Sequence, residues 1–202
     1  MKMFMTTMFL ATTVALPYAQ TDRNRPTVPA VPAEIQVPAG FKPFLSAHAV
    51  GNQGYVCVPS GTAFKWIPFG PQATLFNEDN QQILTHFLSA TPYSQVLGPA
   101  WQHSRDTSIV WGQMIKTSSD PNFVTPGAIA WLLLEAVVVG DGPMGVDKLL
   151  PTRYIHRVNT VEGSAPATGC AETKDIGKRA LVYYEADYIF YKEKGRNATD
   201  ID

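Results

Sequence analysis

The sequence predicts an all-β domain, mainly antiparallel and folded as a sandwich or barrel, with little helix beyond an N-terminal leader. Three observations carry this. Charged residues make up 16 % of the chain, while 16 Pro and 15 Gly supply frequent turns; a typical soluble domain carries about a quarter charged residues. Short apolar segments recur between these turn signals, as they do in sandwiches and barrels. Late in the chain, two segments alternate with a period of two, the mark of strands whose faces differ.

Residues 1–19 read as a secretory leader: Lys2 is a short positive start, Met3 to Leu16 is apolar, and Pro17 and Ala19 mark a cleavage zone. Cleavage is expected after Ala19, with Ala15 as the alternative site. The apolar stretch is short for a bilayer span, which needs about 20 residues. Residues 20–33 are polar and proline-rich and read as a linker. A single β-rich domain is expected over 34–193, followed by a polar tail over 194–202.

Within the domain, Gly54–Val58 reads as a strand closed by a turn at Pro59-Ser60-Gly61. Ala63–Ile67 and Ala73–Phe76 read as two further strands separated by Pro68 and Gly70-Pro71. Asn77–Asn80 reads as a turn into a strand through Ile83–Leu88, although a capped helix fits the same pattern. Ser108–Ile115 is another strand candidate. The run Ala128–Val139 is continuous and apolar; its Val-rich end and Gly-Asp-Gly exit favour a central buried strand over a helix. From Arg153 to Thr160, Tyr154, His156 and Val158 fall on one face, with Ile155, Arg157 and Asn159 on the other. In the last strand Val182, Tyr184, Ala186, Tyr188 and Phe190 lie opposite Tyr183, Glu185, Asp187 and Ile189.

The two cysteines, Cys57 and Cys170, are far apart and not in a C-x-x-C pair. In an oxidising compartment one disulfide is the simplest reading. A net charge of −1 with no Lys/Arg stripe excludes a nucleic-acid binder, whose affinity rests on clustered cations. The leader and the cysteines together point to an extracytoplasmic location: secreted, periplasmic or cell-surface.

Several phrases occur together: GYVCVPSG from Gly54, FGPQATLF from Phe69, PAWQHSRDTS from Pro99, AIAWLLLE from Ala128, RVNTVEGSAPATGC from Arg157 and YEADYIFY from Tyr184. They resemble domain-of-unknown-function family 3455, a group of secreted bacterial and fungal proteins. The resemblance spans nearly all of the chain after the leader and implies a mostly β domain. It implies no activity and no catalytic residues. Where the family pattern reads Asp-Gly-Ser, this chain has Asp106-Thr107-Ser108.

Gly140-Asp141-Gly142-Pro143-Met144-Gly145 matches G-x-G-x-x-G. A dinucleotide site needs a helix opening in that loop, with its N-terminus on the pyrophosphate. Pro143 and Pro151 leave no room for one, so the segment reads as a turn. The histidines are the main chemical candidates. If His86, His103 and His156 converge, with Asp106, they suit a divalent metal or acid–base chemistry. Alternation along Trp101–Asp106 predicts that Trp101, His103 and Arg105 share a face, where an aromatic wall and cationic donors would hold a small ligand or glycan. The aromatic residues are otherwise expected in the core. The function expected is therefore a non-catalytic, ligand-binding or structural β-domain without a cofactor. The alternative is an extracellular enzyme built on His86, His103 and His156, with Arg105 and Asp106 in support.

Overall fold

A computed structural model describes residues 26–143 and 145–195. Eight strands form a closed up-and-down barrel: β1 (Phe41–Ser60), β2 (Ala63–Phe76), β3 (Gln82–Ala90), β4 (Leu97–His103), β5 (Ile109–Ser118), β6 (Trp131–Gly140), β7 (Tyr154–Glu162) and β8 (Arg179–Glu193). Each strand pairs antiparallel with the next, and β8 closes on β1. The described residues contain only two short 3-10 turns, Ala33–Ile35 and Thr173–Asp175, besides strands and loops. The end carrying the β1–β2, β3–β4, β5–β6 and β7–β8 connections is termed upper.

Alternation sorts the walls. Leu75, Leu84, Trp101, Leu134, Ile155 and the β8 residues Tyr184, Ala186, Tyr188 and Phe190 make the buried interior. Small residues on β1 balance these rings: Ala47 and Ala49 face inward, and at Gly51 an added Cβ would lie 2.5 Å from the Cα of Ala73. Charged and polar groups such as Lys116, Glu135 and His48 stand exposed on the wall. An apolar interior with charges outside is the inverse of the sorting in a lipid-embedded barrel. No helix among the described residues is long and apolar enough to cross a membrane.

A second apolar cluster lies outside the barrel. Ile35 and Val124 pack over Trp131, Leu133, Val158, Ile189 and Tyr191, with Val31 and Val37 against them. The folded part thus begins before Glu34, since Val31 already packs and Pro32 is buried. Ser118 Oγ donates to Glu34 Oε1 at 2.5 Å and helps hold this N-terminal strap up the wall. The leader over 1–19, the linker before residue 26 and the tail beyond 195 lie outside the described residues.

Two local expectations need correction. Pro68, Gly70 and Pro71 do not separate two strands; all three lie inside β2. β2 meets β3 only from Gln72 to Phe76, so the residues before Gln72 pair with β1 alone. Proline is tolerated where a strand has one unpaired side, because its missing N–H leaves no ladder bond unmade there. The run Ala128–Val139 is a strand only from Trp131, with Ala128 in an isolated bridge to Gly163. Its first half is buried on both faces, between the interior and the strap, but Glu135 and Val137 are exposed.

Cys57 and Cys170 form the expected disulfide, with Cα atoms 5.5 Å apart. It joins the upper part of β1 to the β7–β8 connection, which also takes Cys57 N–H on Lys178 O at 2.9 Å and Trp66 Nε1–H on Thr168 O at 3.1 Å.

Candidate functional site

Four side chains converge in the upper half of the interior. His86 and Trp101 are direct cross-strand partners and stack with ring centroids 4.1 Å apart and 5° between planes. Tyr188 meets both edge-on, at 5.1 and 5.3 Å. Arg157 shares the inner face of β7 with Ile155, and its guanidinium reaches the Tyr188 hydroxyl. Its Nε and Nη2 both donate to Ala130 O, at 3.2 and 2.8 Å. Among the described residues no carboxylate pairs with it.

His86 Nδ1 lies 2.8 Å from Ala100 O. A carbonyl only accepts, so Nδ1 carries the proton and Nε2 is left as an acceptor. Burial, and to a lesser degree the nearby Arg157 cation, push its pKa down to about 3, against the support of the Ala100 bond. The imidazole is neutral at any ordinary pH. Above these groups a cavity of 270 Å³ opens toward the upper mouth, walled by Leu88, Pro99, Met114, Leu132 and Leu134, with Pro68 and Pro71 of β2.

His103 sits one inner-face step below Trp101, at the lower end of β4. It shares the inner face with Trp101 and pairs with Leu84, but β4 ends there, so the predicted alternation stops. Arg105 turns out into solvent and shares no site with Trp101. Asp106 folds back, its Oδ1 3.1 Å from His103 Nδ1. It accepts from Ser108 Oγ at 2.6 Å, Ser108 N at 2.9 Å and, through Oδ2, Lys148 N at 3.0 Å. Leu149 N donates to Ser108 Oγ at 3.2 Å, and Leu149 is wholly buried. Burial pushes the Asp106 carboxyl up, but the Ser108 and Lys148 bonds and His103 outweigh it and hold it low. Asp106 is thus a latch holding the β6–β7 loop across the lower mouth. Gly142 of the glycine motif belongs to this latch, since a Cβ there would meet Asp106 O at 1.7 Å; the loop forms no helix among its described residues.

A larger groove of 800 Å³ lies beside this loop, lined by His103, Lys148 and Lys192 among others. Its His103 and Asp147 already hold the loop, Asp147 by accepting from Gly142 N at 2.9 Å. The upper cavity is the better candidate, because its polar groups face open space.

His156 lies on neither side of the interior. It faces outward beneath the strap, with Nε2 2.7 Å from Ile35 O and Nδ1 2.9 Å from Tyr191 Oη. The three histidines therefore do not form one site: His86 and His103 lie one inner-face step apart on β3 and β4, but His103 is held by Asp106 and His156 is on the outer wall. Among the described residues no group of three His, Cys, Asp or Glu is placed to hold a metal ion.

Thr107 adopts a left-handed φ of 62°, and its buried hydroxyl has no partner among the described residues. Left-handed backbone costs a residue with a Cβ about 1–2 kcal/mol. Thr107→Gly is expected to raise stability by about 1 kcal/mol after the entropy of the unfolded glycine is subtracted. Chemical denaturation checks this; an unchanged or lower midpoint refutes it.

The buried His86 and His156 and the half-buried His103 have depressed pKa values, chiefly through desolvation. The unfolded chain then binds protons near the ordinary value of 6.5 while the folded chain does not. Their contribution is full above that value and is lost as pH falls below it toward the folded values. Stability should therefore decline between pH 6.5 and 4.5, before the carboxylates titrate, and His86→Phe should flatten the decline. Equal slopes for variant and wild type in melts across this window would contradict the assignment.

The architecture and this cavity define a class: a closed antiparallel barrel whose interior is plugged below and hollow above. The chain belongs to the family described as Protein of unknown function (DUF3455), whose profile matches residues 38–192. Searches of curated proteins and of solved structures return no significant match. Sequence reasoning missed Arg157 as a site residue. The signal was its period-two spacing from Ile155, masked because Arg and Asn made that face look solvated.

Proposed function

We propose that this protein is a non-catalytic, extracytoplasmic barrel that binds one small organic ligand in its upper cavity. The observation carrying the reading is Arg157: a cation without a carboxylate partner at the base of a cavity whose floor is His86, Trp101 and Tyr188. Pockets that combine apolar walls with a few convergent polar groups are the usual form of small-molecule sites. His86 offers an acceptor and Arg157 offers donors, so a ligand can be oriented as well as enclosed. The disulfide, together with the leader-like segment of residues 1–19, supports a location outside the cytoplasm. The alternative of a histidine-based enzyme has less support, since His86 is bonded to Ala100 O, His103 to Asp106, and His156 to Ile35 O on the outer wall.

The test is saturable binding of a neutral probe, 1-octanol, by titration calorimetry. One site per chain is expected, and Met114→Trp, which places an indole across the mouth at an exposed position, should weaken it at least tenfold. Binding unaffected by Met114→Trp would move the site elsewhere, and no binding would refute it.

A further inference from the structure

We infer that the ligand class of the upper cavity is an amphiphilic organic acid, its oxyanion head on Arg157 and an aliphatic body along Leu88, Pro99 and Met114. This rests on reading the cavity as a ligand site and adds the chemistry of the occupant.

The head follows from an excess of donors. A guanidinium has five N–H groups in a fixed fork that matches a carboxylate. Two of them go to Ala130 O, and the guanidinium also reaches the Tyr188 hydroxyl. Trp101, which lines the same cavity, has a buried Nε1–H with no acceptor among the described residues. A cation drawn out of bulk water is poorly served by a carbonyl and a phenol, both neutral, and a charge-assisted bond is about twice as strong as a neutral one. The missing component is a negative oxygen group supplied from outside the chain.

The body follows from the walls. Leu88, Pro99, Met114, Leu132 and Leu134 offer no polar side-chain group to a second ligand function, and Gln53, which also lines the cavity, is buried with its amide on Gly54 O at 3.4 Å. The apolar path also continues outward. Leu88 pairs with Pro99, and Ala90 with Leu97 one inner-face step above. Leu97 and Val96 are each 65 % exposed and Met114 is 54 % exposed. An inner-face line from Trp101 through Pro99 to Leu97 therefore leads from the floor to solvent. A compact polar metabolite such as a sugar would leave these walls unmatched, whereas a single-headed chain matches both ends of the cavity.

The experiment compares octanoate, 1-octanol, octylammonium and acetate on the full-length protein by titration calorimetry at neutral pH. Octanoate should bind at least tenfold more tightly than octanol, with acetate and octylammonium at least tenfold weaker than octanoate. Arg157→Gln should shrink the octanoate-to-octanol ratio below threefold. If that variant does not fold, the wild-type series decides alone. Octanol binding as tightly as octanoate, or octylammonium binding more tightly, overturns the acid class and leaves the cavity reading intact. Acetate matching octanoate overturns the aliphatic body. Failure of all four to bind overturns both this inference and the site on which it rests.

Discussion

Replacing both cysteines, Cys57→Ala with Cys170→Ala, is expected to destabilise the protein by about 4–5 kcal/mol in the chain-entropy account of a long closed loop. The bond spans 113 residues of sequence, which puts it near the upper end of that scale. Alanine is the right replacement because Cys57 is wholly buried and serine would bury a hydroxyl without a partner. The native barrel should persist, since Cys57 N–H still meets Lys178 O and Gly177 N–H still meets Cys57 O. The consequence is a lower denaturation midpoint with an unchanged far-ultraviolet spectrum, and faster amide exchange over 164–178. A loss below about 1 kcal/mol would contradict the chain-entropy account for this bond.

Trp101→Ala should have an effect of similar size, about 3–5 kcal/mol, as is usual for removing a large buried ring. Trp101 is 1 % exposed, stacked on His86 and in edge contact with Tyr188 and Phe190. On the neighbouring strand β5, Gly112 presses on its ring: an added Cβ there would lie 3.0 Å from the indole. The four groups cannot all close on the space, so a void remains that joins the upper cavity. The melting temperature should fall on the order of 10 °C and recover in part with added indole, through binding to the folded state alone. A variant melting within 2 °C of wild type, or one that indole does not rescue, contradicts the packing described.

How much was legible depended on how cleanly a strand separates its faces. In β8 every inward residue from Tyr184 to Phe190 is aromatic or alanine, and the face they form was readable directly. In β7 both faces are covered, one by the interior and one by the strap, so alternation existed but gave no direction; His156 was grouped correctly with Val158 yet its burial against Ile35 depends on a segment 121 residues away. The three histidines fail to form one site for the same reason: sequence gives parity along each strand, not which face is turned inward, and His156 is turned out against Ile35. Arg105 was misplaced because nothing local marked the end of β4 at His103. The disulfide was readable because two cysteines allow only one pairing, and no register needed to be known.

Barrel closure gives each strand two neighbours over part of its length, but along the first part of β2 the residues before Gln72 have only β1 beside them, as Gly112–Ser118 of β5 have only β6. An unshielded ladder of this kind recruits strands from other molecules and seeds aggregation. Here the exposed side carries Pro68 and Pro71, which have no N–H to offer an incoming strand, and Gly70 with a φ of 135°, which breaks the extended line between them. The same residues that wall the cavity thus blunt this edge of the barrel, so the β2 side of the opening that admits a small ligand is a poor template for a second polypeptide.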